Sequence, residues 1–284
     1  MRTIPKKDNS YHSSKLVHVS ESDDCVPKNY GSPWTRNELV LAFELYCCIP
    51  FKKTKANNPD VINLANLLGR SPASVARKLG NFGKFDPELK KYGVVGLAHA
   101  SKMDKQIWDE FNADWNGLVL EAEQLRESIN PVAKKKEIPA PQGPSEREAI
   151  QKIRVHQKFF RDSILSSYNY TCCVTGLSVI DTLIASHIVP WSIAENLRTD
   201  PHNGLCLSAT FDRLFDRGLM TITSDYKICI SDALLSRADK KTEALICNYH
   251  GAELLRPYRF LPSQTHLEWH RSHLFQQQQT RRPH

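Results

Sequence analysis

Between residues 185 and 218 the chain brings together residue types suited to cutting a phosphodiester. His187 lies in "ASHIVPW", Asn203 follows sixteen residues later in "NGLCLS", and Asp212 comes nine after that in "ATFDRLFDRG", with Asp216 one helical turn further on. Hydrolysing a phosphodiester requires a base to deprotonate water, a cation to offset charge on the phosphate, and a scaffold that holds both near the reacting atoms. A histidine, an asparagine and a carboxylate that converge can supply these. Taken alone, "ASHIVPW" reads more readily as a buried, hydrogen-bonded core histidine, and a helix with two Asp-Arg alternations as a solvated surface.

The elements that must position these residues are legible around them. "DTLIASHIVPW" is β-branched and bounded by proline, and "NGLCLS" reads as its partner strand. "ATFDRLFDRG" reads as a two-turn helix stopped by Gly218, burying Phe211, Leu214 and Phe215. One border of that stripe carries Asp212 and Asp216, a row suited to a hard cation; the next carries Arg213 and Arg217, suited to phosphate. "GLMTITSDYKICIS" then predicts a small β-hairpin turning at Ser224-Asp225. Upstream, Ser145 and Glu148 form a capping box for a helix expected to bury Ile153, Phe160, Ile164 and Leu165.

In order, "TCCVTG", "ASHIVPW", "DPHNGLCLS" and "FDRLFDRGLMTI" resemble the HNH endonuclease family and its ββα-metal fold, in the branch found among prokaryotic restriction and anti-phage nucleases. The resemblance spans about residues 150 to 275, including the closing "LEWHRSHLF". It implies that His187 is the general base, that Asn203 pins the loop or orients the base, and that Asp212 takes the family's last metal-binding position. Asp216 or water would complete the shell of Mg²⁺ or Mn²⁺, with His202 a weaker candidate. Two departures stand out. Many family members carry Asp or His immediately before the base, where this chain has Ser186; and no CxxC pair follows Cys172 and Cys173, so no structural zinc is expected.

The N-terminal half reads as helical. Thr35 and Glu38 open one helix. Asn58-Pro59 opens a second, with Ile62, Ala65 and Leu68 inward, and Ser71-Pro72 a third, with Val75 and Leu79 inward. Helices two and three, joined by a turn containing Gly69, predict a helix-turn-helix, with Ser74, Arg77, Lys78 and Asn81 facing outward and Arg70 in the turn. Arg70, Ser74, Arg77 and Lys78 are accordingly candidate contacts to duplex DNA, together with Arg213 and Arg217. An ordinary helical hairpin with solvated cations is the alternative. Ser101 caps a further helix through Ile107, Trp108 and Phe111 that continues or resumes to about Ser128. In "LEWHRSHLF", Trp269, His270 and Phe275 read as packing residues that dock a last helix, with contact of His270 and Arg271 to a phosphate as the alternative.

The expected fold class is therefore α+β. The domain reading is a tail (1–31), a helical DNA-binding or DNA-positioning domain (32–129), a Pro- and Lys-rich linker (130–145), a nuclease domain (146–275) with flanking helices, and a second tail (276–284). A formal charge of +7 permits a polyanionic partner without identifying one. Eight cysteines without a CxxC read as reduced thiols. No apolar run approaches a membrane span and the first thirty residues lack a signal pattern, so a cytoplasmic protein without membrane insertion is expected. Three functions are compatible with the sequence: a metal-dependent DNA endonuclease cutting one strand per site, and hence a homodimer or two nicks for a double-strand break; a DNA-binding regulator with a degenerate nuclease domain; and a nuclease subunit silent until partner subunits of a defence system recruit it.

Overall fold

The structure is a computed structural model and describes residues 28, 29, 31–93, 100–130 and 144–276, with the side chains of 144–149 excepted. The expected tails and linker fall almost wholly outside these residues, as do the side chains of Ser145 and Glu148.

The N-terminal half is built from α1 (Arg36–Cys48), α2 (Pro59–Leu68), α3 (Pro72–Phe82), α4 (Pro87–Lys91), α5 (Lys102–Ala113) and α6 (Trp115–Ile129). Local chemistry starts and stops them. Thr35 and Glu38 form a capping box on α1, and Ser101 and Asp104 form one on α5. The single helix expected from Ser101 to about Ser128 is broken at Asp114, whose side chain accepts from the amide of Gly117 and so starts α6. Helix α1 runs through the middle of the core, where the Phe43 ring packs against Tyr46, Phe82, Trp108 and Trp115.

Four expected orientations in this half are corrected. On α2 the buried face is Val61, Leu64, Ala65 and Leu68; Ile62 lies one residue around the helix and is 36% exposed. In the turn after α2, Arg70 is buried. Its guanidinium pairs with Glu38 at 2.7 Å and donates to the carbonyls of Ser32 and Pro33. On α3, Lys78 and Asn81 are also buried, both bonded to the fully buried Asp104. Burial raises the Glu38 carboxyl, but its bonds to Arg70 and Thr35 outweigh this and hold its pKa below the ordinary value. The acids of the two capping boxes have thus recruited the cations expected to face DNA, leaving Arg77 exposed and Ser74 half-buried. Replacing Arg70 by alanine strands Glu38 and is expected to cost about 3–5 kcal/mol in denaturant unfolding. Arg77→Ala is expected to leave stability unchanged and, if this face meets DNA, to lower the slope of log affinity against log salt by about one.

Helix α7 (Pro144–Ser167) joins the two halves. Its neighbouring residues Phe159 and Phe160 belong to different cores, Phe159 to the N-terminal cluster and Phe160, Ile164 and Leu165 to the C-terminal one. Ile153, expected to be buried, is 42% exposed, because the inward stripe of α7 begins only at Val155 and His156.

Beyond α7, β1 (Leu183–His187) and β2 (Gly204–Ser208) form an antiparallel pair, with His187 opposite Gly204 and Leu183 opposite Ser208. Helix α8 (Ala209–Asp216) follows directly and packs on both strands. A second antiparallel pair, β3 (Met220–Ile222) and β4 (Ile228–Ile230), matches the expected hairpin. After it come α9 (Asp232–Leu235), α10 (Lys240–Leu245) and α11 (Gln264–His273). The architecture is mixed helical with two small sheets. Gly218, at φ +64°, turns the chain out of α8 where any side chain would strike the carbonyl of Leu274. Among the described residues no helix is long and apolar enough to cross a membrane, and the cysteines are free thiols.

Two buried groups fasten the later elements. Arg259 is fully buried; it donates to the carbonyls of Tyr46 and Ile49 and to Ser166 Oγ, tying the end of α1 to α7. His270 on α11 stacks on Phe215 at 3.7 Å and bonds the Phe215 carbonyl and Thr221 Oγ1. A carbonyl only accepts, so Nε2 carries the proton and Nδ1 accepts from the hydroxyl. Burial pushes His270 down to about 4. The unfolded chain takes this proton more readily than the folded one. The stabilisation is therefore complete above about pH 6.5 and is lost as pH falls from there toward 4, by about 3 kcal/mol in total. Melting temperatures across pH 4–7 should fall with pH in the wild type and fall less in His270→Asn.

Candidate active site

His187 is the last residue of β1. Strand alternation places its side chain on the same face as that of its partner Gly204, and a side chain at Gly204 would strike Ile164 and Phe160 of α7. The imidazole accordingly lies on the Phe160 ring, with centroids 3.6 Å apart and planes 9° from parallel, and meets the edge of Trp191 at 5.6 Å. Nε2 bonds the carbonyl of Arg198 at 3.0 Å. Because that partner can only accept, neutral His187 carries its proton on Nε2, which leaves Nδ1 as the basic nitrogen. Burial pushes its pKa below the ordinary value, partly offset by the carbonyl bond, so the ring is neutral at pH 7.

Asn203 is fully buried and holds the loop between the strands. Its Oδ1 accepts from the amide of Val189 at 2.8 Å, and its Nδ2 donates to the carbonyls of Val189 and Leu197. Its backbone carbonyl accepts from Ile188. None of these bonds reaches His187. The side chain fixes the loop that carries the Arg198 carbonyl, and so acts on the imidazole at one remove. From the N-terminal half, Asn116 grips the same loop through Thr199 Oγ1 and the carbonyl of Glu195.

On α8, Phe211 and Phe215 are buried, Asp212 and Leu214 are half-buried, and Arg213, Asp216 and Arg217 are exposed. Partial burial, and after it the neighbouring Asp212 charge, raise the Asp216 carboxyl above its ordinary value. Ser186 alternates to the face opposite His187. Phe160 and Ile164 fill the α7 side at this end. Ser186 Oγ is buried and has no hydrogen-bond partner. Two neighbouring carboxylates and an orphaned hydroxyl are oxygen donors of the kind a hard divalent cation takes. Among the described residues, however, no group of three or more His, Cys, Asp or Glu side chains is placed to hold a metal. Protein ligands alone would leave most of the coordination sphere to water and phosphate.

The imidazole and the Ser186 hydroxyl belong to opposite faces of the β1–β2 pair, and His187 terminates β1 at the end of the hairpin. His202 is turned away from this end: its Nδ1 bonds Asp200, and its ring packs against Trp115 and Phe260. Helical periodicity marks Phe160 as buried but does not disclose the imidazole as its partner.

Residues 172–223 match the HNH endonuclease family. Among solved structures, a "Modification dependent TagI restriction endonuclease" is similar at 22% identity over 40% of this chain, with a TM-score of 0.27. The match spans 37% of that chain's length. No curated protein sequence matches.

Proposed function

We propose that this chain, in which residues 172–223 carry an HNH endonuclease domain, is a Mg²⁺- or Mn²⁺-dependent DNA endonuclease that hydrolyses one strand per active site and serves in restriction or anti-phage defence. The observation that carries the reading is the state of His187: a neutral imidazole, stacked and pinned through Nε2, with Nδ1 left as the base. Nδ1 takes the proton from the attacking water, and the Arg198 carbonyl stabilises the imidazolium that forms. Asn203 keeps that carbonyl in place. Asp212 and Asp216, with Ser186 Oγ, are the groups that would hold the cation, which when bound offsets charge on the phosphate and the leaving oxygen. The exposed Arg213 and Arg217 are the candidate contacts to flanking phosphates, and Arg77 and Ser74 remain as the candidate contacts of the helical half.

The reading predicts nicking of supercoiled plasmid in Mg²⁺ or Mn²⁺ that stops with EDTA; intact plasmid in both metals would refute it. A DNA-binding regulator with a degenerate site is the second reading, favoured by Ser186 at a ligand position and by the thin set of acidic ligands. It predicts salt-dependent duplex binding without cleavage. One site cuts one strand, so a double-strand break calls for a homodimer or paired nicks.

A further inference from the structure

A cavity of about 230 Å³ opens where the two halves meet, away from the β1–β2 hairpin, among Phe51, Lys52, Tyr92, Ser166, Asn169 and Tyr258. It is smaller than drug-sized ligand sites, which run about 300–1,000 Å³, and suits a single flat ring system. Its walls are aromatic. The Tyr92 and Tyr258 rings lie 4.7 Å apart and tilted by 37°, and the Lys52 ammonium sits 5.1 Å from the Tyr258 ring centre. The rim is basic: Lys52, Lys53 and Lys55 lie in or beside the segment forming one wall, Lys90 adjoins lining residue Leu89, and all four are exposed. Beneath Ser166 lies the buried guanidinium of Arg259, 3.1 Å from the hydroxyl.

At the lip, just past the end of α7, two successive residues have positive φ, Asn169 at +51° and Tyr170 at +58°. Glycine is the usual residue for such a helix end, because a side chain there costs about 1–2 kcal/mol. Here the position displays an exposed carboxamide without a recorded hydrogen bond, and a tyrosine whose ring lies under the Lys53 ammonium at 5.0 Å. Aromatic walls, a carboxamide at the edge and surrounding ammonium groups match three parts of one ligand: a stacking face, a hydrogen-bonding edge and a phosphate.

We propose that this cavity binds a nucleotide base, with Phe51 and the Tyr92–Tyr258 pair supplying the stacking surface, Asn169 reading the base edge, and Lys52 swinging from Tyr258 to the phosphate. The base is either swung out of a DNA strand or carried by a free nucleotide. The first source rests on the nuclease reading.

The test uses the full-length protein, with His187→Ala introduced for the duplex arm so that DNA stays intact. Deoxynucleoside monophosphates are titrated calorimetrically, and duplexes substituted with 5-iododeoxyuridine are photo-crosslinked and the adducts mapped by mass spectrometry. Binding of a monophosphate, weakened about tenfold or more in Tyr92→Ala and Lys52→Ala, is the expected result, since one base–aromatic stack is worth about 1–3 kcal/mol. Both side chains are exposed, and an unchanged melting temperature shows that the variants fold. Crosslinks on Tyr92 or Tyr258 identify a base swung from DNA; monophosphate binding without them identifies the free nucleotide. No monophosphate binding together with crosslinks confined to other segments, or affinities unchanged in both variants, would overturn the proposal. Because binding and adducts are read without cleavage, a pocket that binds in a protein that never nicks refutes only the nuclease reading.

Discussion

Replacing His187 by alanine is expected to lower metal-dependent nicking of supercoiled plasmid by at least 10²–10⁴-fold, the usual contribution of a positioned acid–base group, while duplex binding and the melting temperature stay close to wild type. The ring is half-buried and its removal strands no charge, because burial holds it neutral. Its absence leaves the Arg198 carbonyl accessible to water. The loop remains held by Asn203 and Asn116. Cleavage undiminished in this variant would remove His187 as the base and the proposed mechanism with it. His187→Gln provides a control: it can restore the bond to the Arg198 carbonyl without supplying a base, and should be as inactive as alanine.

A loss of stability as large as that of Arg70→Ala is expected from Arg259→Met. The methionine fills much of the same volume but leaves the carbonyls of Tyr46 and Ile49 without their donor. It also removes the charge that draws down the Asp86 carboxyl, which burial raises above its ordinary value and which accepts from Tyr46 Oη at 2.9 Å. Breaking a buried charge system from one side costs about 3–5 kcal/mol, a large share of the 5–15 kcal/mol typical of a folded protein. Chemical denaturation should show the loss directly. A midpoint within error of wild type would mean that Arg259 does not fasten α1 to α7.

The contrast between what could and could not be read in the sequence follows from range. Strand, loop, strand and helix from Leu183 to Asp216 were legible because each is bounded by local signals: Pro190, the Asn203-Gly204 step and Gly218. The capping boxes at Thr35 and Ser101 were equally local. Arg70 and Lys78 were misjudged because the acids that bury them lie 32 and 26 residues away along the chain, and no helical period discloses a partner at that distance. Ile62 faces outward because the helical phase of α2 differs by one residue from that of the sequence pattern. Phe160 is a core residue by periodicity, but periodicity cannot say that the core at that point is an imidazole. The orphaned Ser186 hydroxyl was visible only as a departure from a family pattern; its burial needed coordinates.

The two phenylalanines of α7 also bear on whether the catalytic half is portable. A fragment starting at residue 144 would carry Phe159 and Phe260 into water as bare apolar surface, since both are rooted in the cluster built by α1 to α6, and Arg259 would lose its acceptors on the first helix. Transplanting residues 144–276 onto another DNA-binding module therefore transfers a wound along with the blade, and loss of cleavage on deleting residues 1–130 would report a dismantled scaffold as readily as lost DNA contacts. The smallest unit worth grafting runs from the first helix to the last.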